Sequence, residues 1–507
     1  MTERIHFLDY GIIGLYLVAM LVIGWLCSRK NSSSDEYFMA RSEMPGWATG
    51  FSLMATMISS MSFLATPGFA FKENWRYIPT NFLFLIAAFM GIYIFMPIFR
   101  RSGISSGYEY LERRFGSWAR VYTAVGYVLM QSARLGLVTY TVSLPLQILT
   151  GMPLPLIIVL VGIIVAAYTI AGGLRAVIWT DMVQGIGLML GALICIPIVL
   201  KGIPGGVGEL FSIAHQDGKL SLGDFDFTIA KITFWVMILP AIFNQLWCVE
   251  QATIQRYVAP KTEKEARKAI WLGVLMVIPM WVYFSALGTG LYVFYKLNPA
   301  PEIEGMVAEQ VLPFFILTQV PAGLAGIVII GLLAAAQSSL SSSISASASI
   351  VTTDFYRRFF VKDRGEGHYL SASRWISCVF GVVMIGLALL IYYMRTMTIQ
   401  DLNTMIQSIF SCGIFALFML GILSKRVENR AALSCSLVTL ALVVSWLFID
   451  ARIPSLAGYL PHKFWMPILT NIFLFVSAWG TSYLIREKRY RNLENLTLKT
   501  MGTKDNE

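Results

Sequence analysis

The stretch AAAQSSLSSSISASAS, residues 334–349, decides how this chain folds and where its chemistry lies. It occupies the second half of an apolar, helix-length run that begins near Gly323, and the hydropathy of that run predicts a membrane span. Small residues let membrane helices approach closely, so one interpretation is a helix–helix contact face. The other is a site for a small hard cation, because oxygen-bearing residues share one face at similar depth. These residues are Ala335, Ser338, Ser339 and Ser342.

The composition of the whole chain indicates an integral membrane protein. Of 507 residues, 56% are hydrophobic and only 13% are charged, and the mean hydropathy is +0.66. An all-α membrane protein of about thirteen transmembrane helices is therefore predicted. The predicted spans are 10–27, 46–70, 76–98, 121–148, 153–172, 179–200, 230–252, 270–296, 322–350, 371–394, 402–422, 431–450 and 464–485.

Lysine and arginine are concentrated in alternate loops, which predicts the orientation. Basic residues near span ends are retained on the cytoplasmic side of a membrane. The loops 202–229 and 297–321 are poor in base and are expected outside, which puts the N-terminus outside and the C-terminus in the cytoplasm. The net charge of +10 is then mostly a topology signal and not a nucleic-acid footprint. The basic loops contain Arg29, Lys30, Arg100, Arg101, Arg113, Arg114, Arg256, Lys261, Lys264, Arg267, Lys268, Arg357, Arg358, Lys362, Arg364, Lys425, Arg426 and the tail from Arg486.

Several classes of protein are excluded by what the chain lacks. There is no GxxxxGK[ST] phosphate loop and no loop long enough for a nucleotide-binding domain, so neither ATP nor another nucleotide is an expected partner. The six cysteines lie in or at the ends of apolar runs and do not pair by spacing, and the four histidines lie outside the spans. Disulfides and a zinc or haem centre are therefore not expected. The remaining classes are a channel, a membrane sensor and an ion-coupled transporter.

Arg134 is the sharpest polar residue in the predicted spans. It stands at the centre of 121–148, where a charge costs roughly 2.5–3.5 kcal/mol on insertion scales. It could snorkel or pair with a carboxylate, but no acid occurs in its own span. A bound anion is the expected partner, since a guanidinium presents a planar fork that matches a carboxylate.

Two of the predicted spans carry signs of interruption. In 46–70, mid-membrane hydroxyls precede a helix breaker, and 230–252 contains a proline followed by two amides. Hydroxyls and breakers free backbone carbonyls and amides, and broken helices in two halves of a transporter indicate a binding site between repeats. A passive kink is the alternative. The residues are Thr56, Ser59, Ser60, Ser62, Pro67 and Gly68 in the first span, and Pro240, Asn244 and Gln245 in the second.

Two acids are further candidates. Asp181 is expected in the first turn of 179–200, where it could be a simple helix-terminal charge. Ser341 and Ser342 should lie at a similar depth, which would add hydroxyls to its carboxylate. Asp181 is also the one plausible proton carrier. Glu250, near the inner end of 230–252, is expected to face water.

Two stretches of the chain are AGGLRAVIWTDMVQ (171–184) and LLAAAQSSLSSSISASASIVTTDFY (332–356). They resemble the two characteristic segments of the sodium:solute symporter family. A third stretch, EQATIQRY (250–257), resembles another segment of that family, where the family often has Asp in place of Glu250. Within the family the likeness is to bacterial sialic acid symporters. It rests on PGWATGFSLMATMISSMSF (45–63) and on the arginine of SARLGLVTY (132–140).

The resemblance implies a leucine-transporter-like fold with a five-plus-five inverted repeat in 46–422, its halves being about 46–200 and 230–422. Residues 1–45 would add one helix before it, and 423–507 would add two helices and a cytoplasmic tail. It also implies a first sodium site, a second found in part of the family, and a substrate site. The first sodium would bind Ala55, Ile58, Ala335, Ser338 and Ser339; the second Asp181, Ser338, Ser341 and Ser342; the substrate Ser59, Ser60, Ser62, Tyr77, Asn81 and Arg134.

The function expected from the resemblance is sodium-coupled import of an organic anion, most closely sialic acid or a related acidic sugar, across a bacterial inner membrane. One or two sodium ions would be carried, and no enzymatic activity is expected. Ser62 and Asn81 stand where Thr and Gln are expected, so another sugar or a monocarboxylate is an alternative. A proton-coupled symporter, a transporter-like sensor and a channel also remain open.

Overall fold

The computed structural model describes residues 6–29, 31–40, 43–101, 103–104, 106–227, 233–243, 246–394, 412–453, 460–461, 465–485, 493 and 496–500. Within these ranges the regular structure is helical throughout. In the first part of the chain the helices are α1 (Phe7–Ser28), α2 (Ser34–Met39), α3 (Gly46–Met57), α4 (Ser60–Lys72), α5 (Ile78–Asn81), α6 (Phe84–Met90), α7 (Met96–Arg101), α8 (Gly107–Phe115), α9 (Ser117–Thr150), α10 (Leu154–Lys201) and α11 (Gly206–Gln216).

The later helices include two interrupted regions. A 3₁₀ turn, Leu246–Val249, precedes α13, and a π-helical turn, Val351–Phe360, continues α16. The helices are α12 (Phe234–Phe243), α13 (Gln251–Val258), α14 (Glu263–Leu297), α15 (Val311–Gln319), α16 (Leu324–Ile350), α17 (Glu366–Met394), α18 (Ile414–Leu423), α19 (Asn429–Arg452) and α20 (Met466–Leu484).

Many of these helices are suited to a membrane. Among the described residues, seven are long and apolar enough to cross a bilayer, and the bent pair α3–α4 makes an eighth. The prediction of an all-α, multi-pass membrane protein is confirmed, whereas the count of thirteen spans is not. Of the predicted span 402–422, residues 402–411 lie outside the described ranges and α18 covers the remainder.

The predicted boundary between 153–172 and 179–200 is a kink and not a loop. Helix α10 includes 48 residues, which at about 1.5 Å per residue is roughly twice the thickness of a bilayer core, and it consists of two helices in succession. Its two halves meet at Gly173, whose φ of 61° suits glycine. A Cβ there would lie 2.5 Å from the carbonyl oxygen of Tyr37. Asp181 is therefore two turns beyond the kink, and its predicted place in the first turn of a helix is wrong.

The interruption predicted in 46–70 is present. Helix α3 ends at Met57, α4 begins at Ser60, and the two segments differ in direction by 51°. Ile58 and Ser59 between them have extended backbone angles. The Ser59 backbone N–H donates to Ser62 Oγ at 3.4 Å, so a hydroxyl takes the place of a helical carbonyl. The break leaves carbonyl oxygens at the end of α3 without helical partners.

Helix α16 is the centre of the molecule. Every residue from Val328 to Ile350 is buried, and α16 packs against α10, α9, α3 and α1. Asp9 of α1 fixes its first turn, since Oδ1 accepts the backbone N–H groups of Gly323 and Gly326 at 2.7 Å each. A carboxylate at a helix N-terminus satisfies orphan donors and complements the helix dipole. The serine-rich half of α16 is thereby held against the break between α3 and α4.

Candidate ion and substrate sites

Backbone carbonyls of α3 meet hydroxyls of α16 at the helix break. Ser338 Oγ donates to the carbonyl oxygen of Ala55 at 2.8 Å, and Ser339 Oγ donates to that of Thr56 at 3.4 Å. Both hydroxyls also lie 3.3 Å from the carbonyl oxygen of Ala335. Four of the five residues predicted for the first sodium are therefore adjacent.

The fifth, Ile58, lies in the break itself and is buried. Neutral carbonyl and hydroxyl oxygens at a broken helix are suited to a sodium ion. The hydroxyl hydrogens would have to turn away for the ion to enter.

The residues predicted for the second sodium also meet, one turn further along α16. Ser341 Oγ donates to Asp181 Oδ1 at 3.4 Å and to the carbonyl oxygen of Ser338 at 3.2 Å. Ser342 Oγ reaches Asp181 Oδ2 at 3.5 Å. All four side chains are buried. The carboxylate thus faces the hydroxyls that the sequence assigned to it.

Arg256, which is predicted to lie in a cytoplasmic loop, already neutralises the Asp181 carboxylate. Arg256 lies on α13, is fully buried, and places Nη2 2.8 Å from Asp181 Oδ2. The predicted span 230–252 ends before Arg256, so the prediction that Arg256 lies in a loop is wrong: it is a buried residue of a helix. The guanidinium donates further bonds to Ala252 O, Ser52 Oγ, Thr56 Oγ1 and Ser342 Oγ at 2.6–2.9 Å.

The ion pair and its hydrogen bonds form a closed network. Ser52 Oγ accepts from Arg256 Nε and donates to Asp181 Oδ2 at 2.6 Å. Oδ2 therefore has two close partners, whereas among the described residues Oδ1 accepts a hydrogen bond from the Ser341 hydroxyl at 3.4 Å. Burying two charges is tolerated because each is paired and hydrogen-bonded. We call these five residues the Asp181 network: Ser52, Thr56, Asp181, Arg256 and Ser342.

Three of the predicted substrate residues line one cavity. Ser62, Tyr77 and Asn81 border a space of about 370 Å³ enclosed by α4, α5, α14 and the segment near Ala308. Asn81 Nδ2 donates to the carbonyl oxygen of Tyr77 at 3.3 Å, and the Tyr77 ring packs edge-on against Phe69 at 4.3 Å. The side chains bring hydroxyl and amide groups to a wall that also contains the aromatic residues Phe69, Trp75 and Trp281. Such a wall suits a sugar-sized polar ligand.

Trp281 of α14 also lines this cavity, and the sequence analysis missed it. Its Nε1 is buried and has no hydrogen-bond partner in the part of the chain that the structure describes. Ser60 Oγ, a predicted substrate contact, is likewise buried without a hydrogen-bond partner among the described residues. Ser60 and its neighbour Ser59 are outside the lining of the cavity. Unpaired buried donors are costly, so both groups are available to a ligand.

Arg134 is not among the residues that line that cavity, and it faces a carboxylate. Its Nη1 is 4.0 Å from Glu250 Oε2, and the two side chains are 34% and 17% exposed. Glu250, which the sequence predicts to face water, is the residue before α13, and its carboxylate is partly buried beside Arg134. Pairing with a carboxylate is the alternative to a bound anion for Arg134, and Glu250 is an acid from another segment that lies near it. The amides Asn244 and Gln245, named with Pro240 for that interruption, lie outside the described residues.

Comparison with known proteins identifies the family. The family model for the sodium:solute symporter family matches residues 37–439. The chain belongs to the sodium:solute symporter family. Two curated relatives are the sodium/sialic acid symporters NanT of Aliivibrio fischeri and SiaT of Proteus mirabilis. Each is 30% identical to this chain. The match to NanT covers 86% of this chain and 87% of NanT, and the match to SiaT covers 87% of this chain and 89% of SiaT. The sodium-coupled monocarboxylate transporter 1 of Homo sapiens is 26% identical over 88% of this chain and 74% of its own.

Solved structures support the same assignment. A Na⁺-coupled sialic acid symporter in a substrate-bound, outward-open state superposes with a TM-score of 0.89 at 28% identity, covering 96% of this chain and 100% of the other. The nucleobase-cation-symport-1 family transporter Mhp1 superposes with a TM-score of 0.59 at 15% identity, over 90% and 96%. The predicted leucine-transporter-like fold is confirmed. This symporter is thus a secondary transporter whose coupling ion is sodium.

Two of the residues whose roles are not predicted from the sequence of this symporter, Arg256 and Glu250, share one feature. Arg256 and Glu250 both lie in EQATIQRY, a segment that was recognised as a family motif but not assigned to a site. Arg256 was counted with loop lysines and arginines because the sequence pattern does not distinguish a buried arginine at a span end from a topogenic one. The signal that could have found it was the unpaired Asp181, which required a cation at the same depth.

Proposed function

We propose that this symporter imports sialic acid or a closely related acidic sugar together with sodium. The observation that carries the proposal is the convergence of Ala55 and Thr56 carbonyls with Ser338 and Ser339 hydroxyls at the break of α3 and α4. The two bacterial relatives named as sodium/sialic acid symporters support the substrate class. Coupling follows if sodium favours the conformation that binds substrate, because a ligand with equal affinity for all states shifts none of them.

The first sodium ion binds between α3 and α16. Its ligands are the carbonyl oxygens of Ala55, Ile58 and Ala335 and the hydroxyl oxygens of Ser338 and Ser339. The ion joins a helix that moves with one repeat to a helix of the other, which is how its binding is transmitted to the substrate cavity.

A second sodium ion binds on the Oδ1 side of Asp181. Oδ2 is engaged by Arg256 and Ser52, whereas Oδ1 accepts one long bond from Ser341. The Ser341 hydroxyl, the Ser338 carbonyl oxygen and Oδ1 offer oxygen ligands on that side, with Ser342 on the Oδ2 side of the same carboxylate. This arrangement gives two sodium ions per substrate and needs no separation of Arg256 from Asp181.

The substrate carboxylate binds Arg134, and Glu250 is the group that it replaces. The 4.0 Å separation of Arg134 and Glu250 is longer than a charge-assisted hydrogen bond of about 2.7–2.9 Å. A substrate carboxylate able to form a bidentate pair with the guanidinium therefore competes effectively. Ser59, Ser60, Ser62, Tyr77 and Asn81 supply hydroxyl and amide contacts to the rest of the molecule.

The distribution of lysine and arginine between alternate loops supports an orientation in the membrane. On this basis the N-terminus lies outside and the C-terminus inside the bacterial inner membrane. The transport core comprises residues 46–422, with one helix before it and two after it. Contact of α1 with both α10 and α16 supports a flanking helix that buttresses the core.

Reconstitution into liposomes tests the function. An inward sodium gradient should drive accumulation of N-acetylneuraminate, and choline in place of sodium should abolish it even with an inward proton gradient. Ser339→Ala should nearly abolish uptake, while Thr318→Ala on α15 is a hydroxyl-deletion control. Uptake that is unchanged in choline would refute sodium coupling. Accumulation of lactate but not of N-acetylneuraminate would instead support a monocarboxylate carrier, an alternative favoured by the departures at Ser62 and Asn81.

A further inference from the structure

A basic cleft lies at the end of α16 that is remote from Asp9. It has a volume of about 460 Å³ and lies between the π-helical turn after α16 and the start of α17. Its lining consists of Arg357, Arg358, Lys362, Asp363, Arg364 and Tyr369. Four cations against one acid in one concave surface make it a site for an anion. None of these residues belongs to the ion or substrate sites described above.

Two of the four cations are already paired, and the other two are not. Arg357 lies 3.3 Å from Glu366 and packs over the Tyr369 ring, while Arg358 is bonded to Glu112 of α8. Lys362 and Arg364 form no ion pair with any side chain in the described ranges, and both are exposed. The paired arginines are held in place, and the free cations are available to a ligand.

Exposed residues of α17 near the cleft are suited to the interface between lipid tails and headgroups. On α17, Trp375, Val379 and Val382 share one face at helical spacing and are strongly exposed, Trp375 at 73%. This is the face that a transmembrane helix presents to lipid tails, and exposed tryptophan is typical of the membrane interface. Trp375 is six residues beyond Tyr369, which is about 9 Å along the helix. Phe360 beside the cleft is 76% exposed and extends the apolar surface.

We propose that this cleft binds the phosphodiester headgroup of an anionic phospholipid. Lys362 and Arg364 contact the phosphate, Arg357 and Arg358 provide the surrounding positive field, and the acyl chains lie along the exposed face of α17. Guanidinium and ammonium groups are strong donors to phosphate oxygens, and basic pockets between membrane helices at the cytoplasmic face are suited to such headgroups. The bound lipid links the end of α16 to the start of α17.

The lipid site is tested on purified, delipidated full-length protein in detergent. Dioleoyl phosphatidylglycerol is titrated and bound lipid is counted by native mass spectrometry, with dioleoyl phosphatidylcholine as the zwitterionic comparison. The variant is Lys362→Ala with Arg364→Ala. The matched control is Lys261→Ala with Lys264→Ala, which removes two exposed cations from a different basic loop. Thermal unfolding of each protein establishes that the variants are folded.

The expected result is an apparent Kd for phosphatidylglycerol that rises about tenfold or more in the cleft variant, given the contribution of each basic residue near an anionic surface. The control should bind as the natural sequence does. Equal loss in the control, or equal binding of phosphatidylcholine, would overturn the proposal. Competition by inorganic phosphate or glycerol 3-phosphate at the same concentration would overturn the lipid as the ligand and assign the cleft to a free phosphate.

Discussion

Two ion pairs of this symporter, Asp181–Arg256 and Arg134–Glu250, differ in how tightly they are held. Asp181 and Arg256 lie 2.8 Å apart with both side chains fully buried, and further hydroxyl and carbonyl groups satisfy the guanidinium. Arg134 and Glu250 lie 4.0 Å apart, partly exposed. Within the described structure the first pair is a closed network and the second is a loose contact. A closed pair stabilises the fold, whereas a loose pair can exchange one partner for a ligand at small cost.

The difference also indicates what each arginine is for. Arg256 crosses between α13, α3, α10 and α16 and ties together the elements that surround both proposed sodium sites. Arg134 stands on one helix and has one acidic neighbour. The same residue type therefore serves as a structural tie in one place and as a ligand-binding group in the other. Substitutions at Arg256, Arg134, Ser341, Ser342 and Glu250 separate these roles.

Breaking the closed pair should have the largest effect. Arg256→Ala leaves the Asp181 carboxylate buried without its cation, which lowers the free energy of unfolding by about 3–5 kcal/mol. Thermal unfolding in detergent measures this. Arg101→Ala, which removes an exposed pair with Glu263 at 3.4 Å, should change stability by less than about 1 kcal/mol. Equal melting temperatures for the two variants would contradict a stabilising role of the Asp181 network.

Breaking the loose pair should affect affinity instead of stability. Arg134→Ala should lose about 2–5 kcal/mol of substrate binding, as when one partner of a buried charge pair is removed. Its melting temperature should change little, because the pair with Glu250 is partly exposed and screened by water. Arg134→Lys should recover part of the affinity, since a point charge cannot reproduce the guanidinium fork. Isothermal titration calorimetry that shows undiminished affinity in the alanine variant would exclude Arg134 from the substrate site.

The neighbouring serines of the closed pair separate sodium binding from stability. Ser341 contacts the Oδ1 side of Asp181 and does not contact Arg256, whereas Ser342 accepts a bond from Arg256 at 2.6 Å. Ser341→Ala should reduce the Hill coefficient for sodium from about two to about one, because the coefficient is limited by the number of sites. Ser342→Ala should chiefly lower the melting temperature. Sodium-dependent uptake provides the coefficient, and a hyperbolic curve for the natural sequence would leave a single sodium site.

Features of the fold and of the sites can be predicted from the sequence where their residues lie in one segment of the chain. The serine face of α16 and the break after Met57 follow from spacing and from hydroxyls within one segment, and the structure has both. The resemblance to the family motifs predicts one site for Asp181, Ser341 and Ser342, and the structure has these side chains in contact. The partners Arg256 and Glu250 were missed because they come from distant segments, and hydropathy cannot show that two charges meet in three dimensions.

The smallest expected effect comes from the acid of the loose pair. Glu250→Gln removes the group that competes with substrate for Arg134 while keeping the shape of the side chain. Because an incompletely buried pair is worth about 0.2–1 kcal/mol, the substrate Kd should fall by roughly 1.5- to 5-fold. Calorimetry of Glu250→Gln beside Glu304→Gln, an exposed acid outside the lining of the substrate cavity, measures the difference. Weaker binding in Glu250→Gln would mean that Glu250 orients Arg134 toward the substrate, and the two pairs would then both be structural ties.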